Sequence, residues 1–179
     1  VASALQIQYA HHYLHIIGVQ EGRRPQFAKA SNIYHMISSG GLDGQFGCEL
    51  WFNTSLPYAG PDNKLVFIHP RDLHGVCAEP KLLVVDLNTP NLRLRCISAH
   101  APHSKLVKER ASFFKRLTTF VHSASPVLLL IDANARLDLI GACTSGIAKH
   151  IVAAAEQLPR RCASGEAIGG RDVGFLCDA

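Results

Sequence analysis

The chain has 179 residues, 47% hydrophobic and 18% charged, with a net charge of +4. That length suits one compact domain with a sizeable core, and the composition excludes a disordered or collagen-like polymer. The longest apolar run, residues 126–131, is far too short to span a bilayer, and the basic balance favours anionic partners without naming one.

Residues 1–13 read as the end of an amphipathic helix, with Leu5, Tyr9 and Tyr13 on one side. Residues 15–20 (HIIGVQ) form a short buried strand, closed by Glu21 and the polar break at 22–25. A second strand is predicted over 33–38, and the glycine-rich stretch 39–47 is a turn between strands. Further β-type runs follow at 47–52, 65–69, 81–87 and 92–98, with loops at 57–64 and 89–91. The run at 92–98 alternates Leu92, Leu94 and Cys96 with Arg93 and Arg95, the period-2 pattern of a half-buried strand.

Ser104 is a candidate N-cap for a helix over 105–122. Leu106, Phe113, Phe114, Leu117, Phe120 and Val121 form its apolar stripe. Residues 105–116 hold five basic side chains and one acidic one, a net +4. Ser125-Pro126 stops the helix, and the run at 127–131 (VLLLI) is a central buried strand that delivers Asp132, Asn134 and Arg136. Beyond residue 138 the chain becomes rich in Gly, Ala and Ser, with a helical pattern only at 147–158. The expected organisation is therefore a domain over 1–138 and a divergent tail over 139–179, partly helical or disordered.

Six cysteines stand at 48, 77, 96, 143, 162 and 177, and no pair has C-x-x-C spacing, so zinc-ribbon and thioredoxin readings fail. Cys48 and Cys96 lie in apolar runs and read as buried, reduced thiols of a reducing compartment. His11 and His15 have the i, i+4 spacing of a helical zinc pair, but the expected helix ends near His15 and the glutamate of H-E-x-x-H is missing. The chain opens on Val1, has Met36 as its single methionine, and shows no signal-peptide pattern. It reads as a fragment of an intracellular protein, nuclear or cytoplasmic.

Three predicted strands end in polar residues: Gln20-Glu21, Ser98-Ala99-His100 and Asp132-Ala133-Asn134. Open sheets collect ligands at such ends. A carboxylate, an imidazole and an Asp-x-Asn pair suit a hard cation and a phosphate, because carboxylate oxygens bind Mg²⁺ and an amide can donate to a phosphate oxygen. Residues i and i+2 of a strand share a face, which puts Asp132 and Asn134 on one side. The competing structural readings are Glu21 paired with Arg23 or Arg24, His100 as an ordinary loop histidine, and Asp132 with Asn134 as an Asx turn. Glu49 and Trp51 read as structural, the tryptophan packing between layers.

Taken in order, the stretches IIGVQE (16–21), GCELWF (47–52), the strand pair at 76–87, CISAHAPHS (96–104) and VLLLIDANA (127–135) resemble the endonuclease/exonuclease/phosphatase superfamily. The nearest flavour is the endonuclease domain of LINE-type retroelements. The resemblance implies a deoxyribonuclease-I-like, four-layer α/β/β/α sandwich, incomplete at both ends. It implies that Glu21 holds Mg²⁺ (or Mn²⁺), that His100 lies by the scissile phosphate, that Asp132 positions the attacking water, and that Asn134 holds the phosphate. It also implies a nucleic-acid partner, DNA first, no membrane, and fusion to a reverse transcriptase in the parent polypeptide. Two features depart from the family: no Ser-Asp-His triplet occurs, and no asparagine-bearing first strand precedes the first helix. The expected function is thus a metal-dependent phosphodiester hydrolase with impaired turnover. The alternatives are an inactive remnant that binds at most, and a phosphatase for small phosphoesters.

Overall fold

Apolar alternation along the strands sorts side chains onto three separate interfaces, and that sorting sets the layers. The computed structural model describes residues 2–60, 63–103, 105–122 and 125–134, and short strands at 160–161, 167–168 and 173–176. Helix α1 (Ala2–His11) is followed by strands β1 (Ile16–Val19), β2 (Phe27–Ala30), β3 (Tyr34–Ser38) and β4 (Glu49–Asn53). These four strands form an antiparallel sheet in the order β1-β4-β3-β2. A two-stranded ribbon, β5 (Tyr58–Ala59) with β6 (Leu65–Val66), comes next.

The second sheet contains β7 (Leu73–Glu79), β8 (Leu82–Asn88), β9 (Arg93–His100) and β10 (Val127–Asp132). Helix α2 (Val107–Val121) links β9 to β10, as parallel neighbours require. The short strands β11 (Arg160–Arg161), β12 (Ala167–Ile168) and β13 (Val173–Leu176) complete the order β12-β11-β13-β10-β9-β8-β7, with β13 parallel to β10. The expected boundary near 138 and the helical pattern at 147–158 lie outside the described residues.

Leu5 and Tyr9 of α1 pack on Ile17, Tyr34, Met36 and Trp51 of the first sheet. The other face of that sheet turns Leu50 and Phe52 onto Leu83, Val85, Leu87, Cys96 and Leu130 of the second sheet. The far face of the second sheet puts Leu82, Val84, Ile97, Ala99, Leu129 and Ile131 under Phe114, Leu117 and Val121 of α2. The result is the expected α/β/β/α sandwich. β8 is apolar at successive positions because both of its faces are covered. Gly18 lets β1 approach β10 closely: a Cβ there would lie 2.7 Å from that of Leu130.

Several expectations shift. The α2 helix begins at Val107, and Leu106 is its cap residue, 43% exposed and off the apolar stripe; Ser104 lies outside the described residues. The charged Arg110 takes a stripe position instead, buried at 3% exposure. Arg116 is paired with Glu79, so the helix's basic excess is smaller than its sequence implies. Tyr13 lies beyond α1 and is 73% exposed. The predicted strand at 65–69 contracts to β6, while β2 and β5 lack the apolar alternation that would announce them. His15 is outside α1 and contacts the Pro57 carbonyl, so it forms no helical pair with His11. Among the described residues, no helix is long and apolar enough to cross a membrane.

Cys48 and Cys96 are buried free thiols, as read from the sequence, and Cys77 is a free, partly buried one. Burial pushes the Cys48 thiol up to about 12 and raises Cys96 as well. Iodoacetamide at mildly alkaline pH is therefore expected to leave Cys48 and Cys96 unmodified in the folded chain, since only the thiolate reacts. Peptide mass mapping checks this; Cys48 labelling as fast in the folded as in the urea-unfolded protein would contradict it.

Candidate active site

The parallel register of β9 and β10 sets His100 directly beside Asp132. β1 arrives from the other sheet and ends just before Glu21. A polar tie fastens that approach: Gln20 donates its amide to Ser98 Oγ (3.1 Å) and to the Leu130 carbonyl (3.2 Å), and Ser98 donates to the Val19 carbonyl (3.3 Å). All three polar strand ends therefore meet. His100 Nε2 lies 3.7 Å from Asp132 Oδ2 and 4.0 Å from Glu21 Oε1. These separations are too long for direct hydrogen bonds. The imidazole is buried, whereas the two carboxylates are about half exposed. His100 Nδ1 is buried without a hydrogen-bond partner among the described residues, so packing rather than a second hydrogen bond orients the ring.

Asp132 and Asn134 meet differently from the expected strand alternation. β10 ends at Asp132, and Asn134 turns into the left-handed region (φ 46°). Asp132 Oδ1 accepts the Asn134 backbone N–H at 2.9 Å, which is an Asx turn. That turn is the structural reading of the pair, and it leaves Asp132 Oδ2 facing His100. Asn134 gives one amide hydrogen to the Ala101 carbonyl (2.6 Å). Its amide has a second hydrogen to offer.

Sequence reading missed the residues that hold this geometry. Arg110 Nη1 donates to the carbonyls of Pro102 (2.9 Å), Ala133 (3.3 Å) and Asn134 (3.1 Å), clamping the segments after β9 and β10 together. Its signal was present: residues 110, 114, 117 and 121 share one helical face, and a cation on an apolar register needs a buried partner. On the other side, Glu49 is buried and accepts from Arg24 through both carboxylate oxygens and from Trp51 Nε1 at 2.7 Å. Glu49 thus bonds locally, and Trp51 packs between α1 and the sheet. Of the pairings open to Glu21, the structure contains the one with Arg23, at 3.2 Å.

Backbone strain gathers here too. Glu21 (φ 55°), Arg23 (φ 51°), Phe46 (φ 60°) and Asn134 are four of the seven non-glycine residues with positive φ among those described. Each such residue costs about 1–3 kcal/mol and persists where the surroundings over-determine it, commonly at functional sites. The Gly22 and Arg23 N–H groups donate to the Gly47 and Phe46 carbonyls (2.9 and 2.8 Å), which holds the Glu21 segment in place.

No known family profile matches the chain, and no curated protein matches it by sequence. Solved structures do. A humanized TDP2 of D. rerio carrying 14 mutations aligns with TM-score 0.51 and 14% identity, over 79% of this chain and 61% of that one. The endonuclease domain of TRAS1, a telomere-specific non-LTR retrotransposon, aligns with TM-score 0.50 and 14% identity, over 87% and 63%. The chain has the deoxyribonuclease-I-like fold. The AP endonuclease LMAP from Leishmania major aligns with TM-score 0.48 and 13% identity, over 68% and 42%. The chain thus spans less than two thirds of the length of each of these structures. The deoxyribonuclease-I-like fold is one that phosphodiester hydrolases use, and in this chain its strand ends carry Glu21, His100, Asp132 and Asn134.

Proposed function

We propose that the chain is a metal-dependent phosphodiester hydrolase domain of the endonuclease type, acting on nucleic acid and first of all on DNA. The observation that carries this reading is the meeting of His100 with Glu21 and Asp132 within 4.0 Å, at the ends of strands from both sheets. Among the described residues, no set of three His, Cys, Asp or Glu side chains forms a ready metal cage. Mg²⁺ does not need one: it keeps several waters and binds through one or two carboxylates plus substrate phosphate. The half-exposed Glu21, with Asp132 nearby, fits that requirement for Mg²⁺ or Mn²⁺. Bound there, the cation would offset phosphate charge and favour ionisation of water.

The chain's own groups would do the rest. Asp132 Oδ2 accepts a proton from the attacking water and orients it. His100 Nε2 contacts a non-bridging phosphate oxygen, and the spare Asn134 amide hydrogen stabilises the charge that develops there. Turnover by these 179 residues is proposed to be impaired, because no Ser-Asp-His triplet supplies the further histidine of the family pattern. The likeness to the TRAS1 endonuclease domain supports a retroelement setting, and fusion to a reverse transcriptase in the parent polypeptide belongs to the same proposal.

Supercoiled plasmid with Mg²⁺ tests the proposal. Slow nicking is expected with the full chain, absent in Glu21→Ala. A folded chain that binds neither Mg²⁺ nor DNA would overturn it.

A further inference from the structure

Lys81 occupies the turn between β7 and β8, and this turn is docked against the candidate site. The Lys81 carbonyl accepts the His100 N–H (3.0 Å), and the Pro80 carbonyl accepts the Gly47 N–H (2.7 Å). The Lys81 ammonium lies 4.2 Å from the centroid of the Phe46 ring. The same ring meets His100 edge-on, with centroids 6.1 Å apart and planes at 62°. Phe46 is thus a spacer that holds a cation one ring away from the imidazole. Its backbone is strained into the left-handed region to do so.

Lys81 also differs from the neighbouring cations. Arg23, Arg24 and Arg116 are each paired with a carboxylate, whereas Lys81 makes no ion pair among the described residues. A cation–π contact positions an ammonium without neutralising it, so the charge stays available to an anion. A small phosphoester would present its charge at His100 alone. A strand presents further phosphates on either side of the reacting one, and the Lys81 ammonium is the cation that the Phe46 ring links to His100.

We propose that Lys81, positioned by Phe46, binds the phosphate adjacent to the scissile one, which makes the substrate a polynucleotide strand rather than a small phosphoester. This rests on the hydrolase reading of the His100 site. The test is binding of a labelled DNA oligonucleotide by fluorescence anisotropy, with the full chain and without Mg²⁺, across a salt series. Lys81→Gln is expected to weaken binding roughly tenfold and to flatten the salt slope by about 0.7–0.9, the share of one phosphate contact. Lys81→Arg retains both affinity and slope. Lys115→Gln, the same charge change on the exposed face of α2, retains the slope. Equal slopes for wild type and Lys81→Gln would overturn the phosphate subsite and leave the hydrolase reading standing. A wild type that binds no oligonucleotide yet hydrolyses bis(p-nitrophenyl) phosphate with Mg²⁺ would overturn the polynucleotide assignment alone. Failure in both assays would overturn the subsite and the hydrolase reading together.

Discussion

Arg110→Met is expected to lower stability by about 3 kcal/mol, since it leaves three carbonyls without a charged donor at 1–3 kcal/mol for each that is fully buried. For a chain of this length that is a fall in melting temperature of roughly 6–12 °C. Methionine keeps the apolar stem beside Phe114, so the loss reports the guanidinium rather than a cavity. The effect extends to the site because Arg110 grips the carbonyls of Ala133 and Asn134 and, through Pro102, the chain just after His100. Without the clamp the left-handed Asn134 relaxes. Lysine at 110 restores the charge but not the reach of the fork, and should recover only part of the stability. A thermal melt decides the matter; an Arg110→Met chain as stable as wild type would show that the clamp carries no weight.

Arg24→Met acts on the opposite wall with comparable force. It leaves the Glu49 carboxylate buried with Trp51 as its remaining hydrogen-bond donor. Removing one partner of a buried pair costs about 3–5 kcal/mol, because the other charge is stranded out of water. Arg24 itself is about one third exposed, which puts the expected loss at the lower end, about 3 kcal/mol. The double variant Arg24→Met with Glu49→Gln removes both charges, keeps an acceptor for Trp51 Nε1 and should regain most of that loss. The measurement is a double-mutant cycle by urea denaturation. Additive single losses in the double variant would contradict the pairing. Because Arg24 follows the strained Glu21–Arg23 segment, the single variant should also weaken Mg²⁺ binding under the proposed function.

These two clamps mark where the sequence stopped being legible. Glu21, His100, Asp132 and Asn134 stood out because each follows an apolar strand, and a polar residue at a strand end is conspicuous. Glu49 read as structural, but its partner Arg24 was open only as a partner for Glu21, and Arg110 read as part of a basic face, because a charged residue in a sequence reads by default as solvated. Only Arg110 left a trace, by falling on the apolar register of α2. Lys81 and Phe46 left none: the ring and the ammonium are 35 positions apart and meet because two turns dock against the end of β9. The Asp132–Asn134 pair was recognised for the wrong geometric reason, since an Asx turn rather than strand alternation sets it.

The sequence by itself determined the layers. Period-2 alternation and runs such as LLVVDL and VLLLID depend on near neighbours, and they dictate which faces must be covered. It also determined which chemistry-bearing side chains end the strands. The tertiary structure alone decided that they meet. The register of β9 on β10 brings His100 to Asp132, and the close pass of Gly18 over Leu130 brings Glu21 to both. Register and inter-sheet contact arise from packing between distant segments, so no local pattern encodes them.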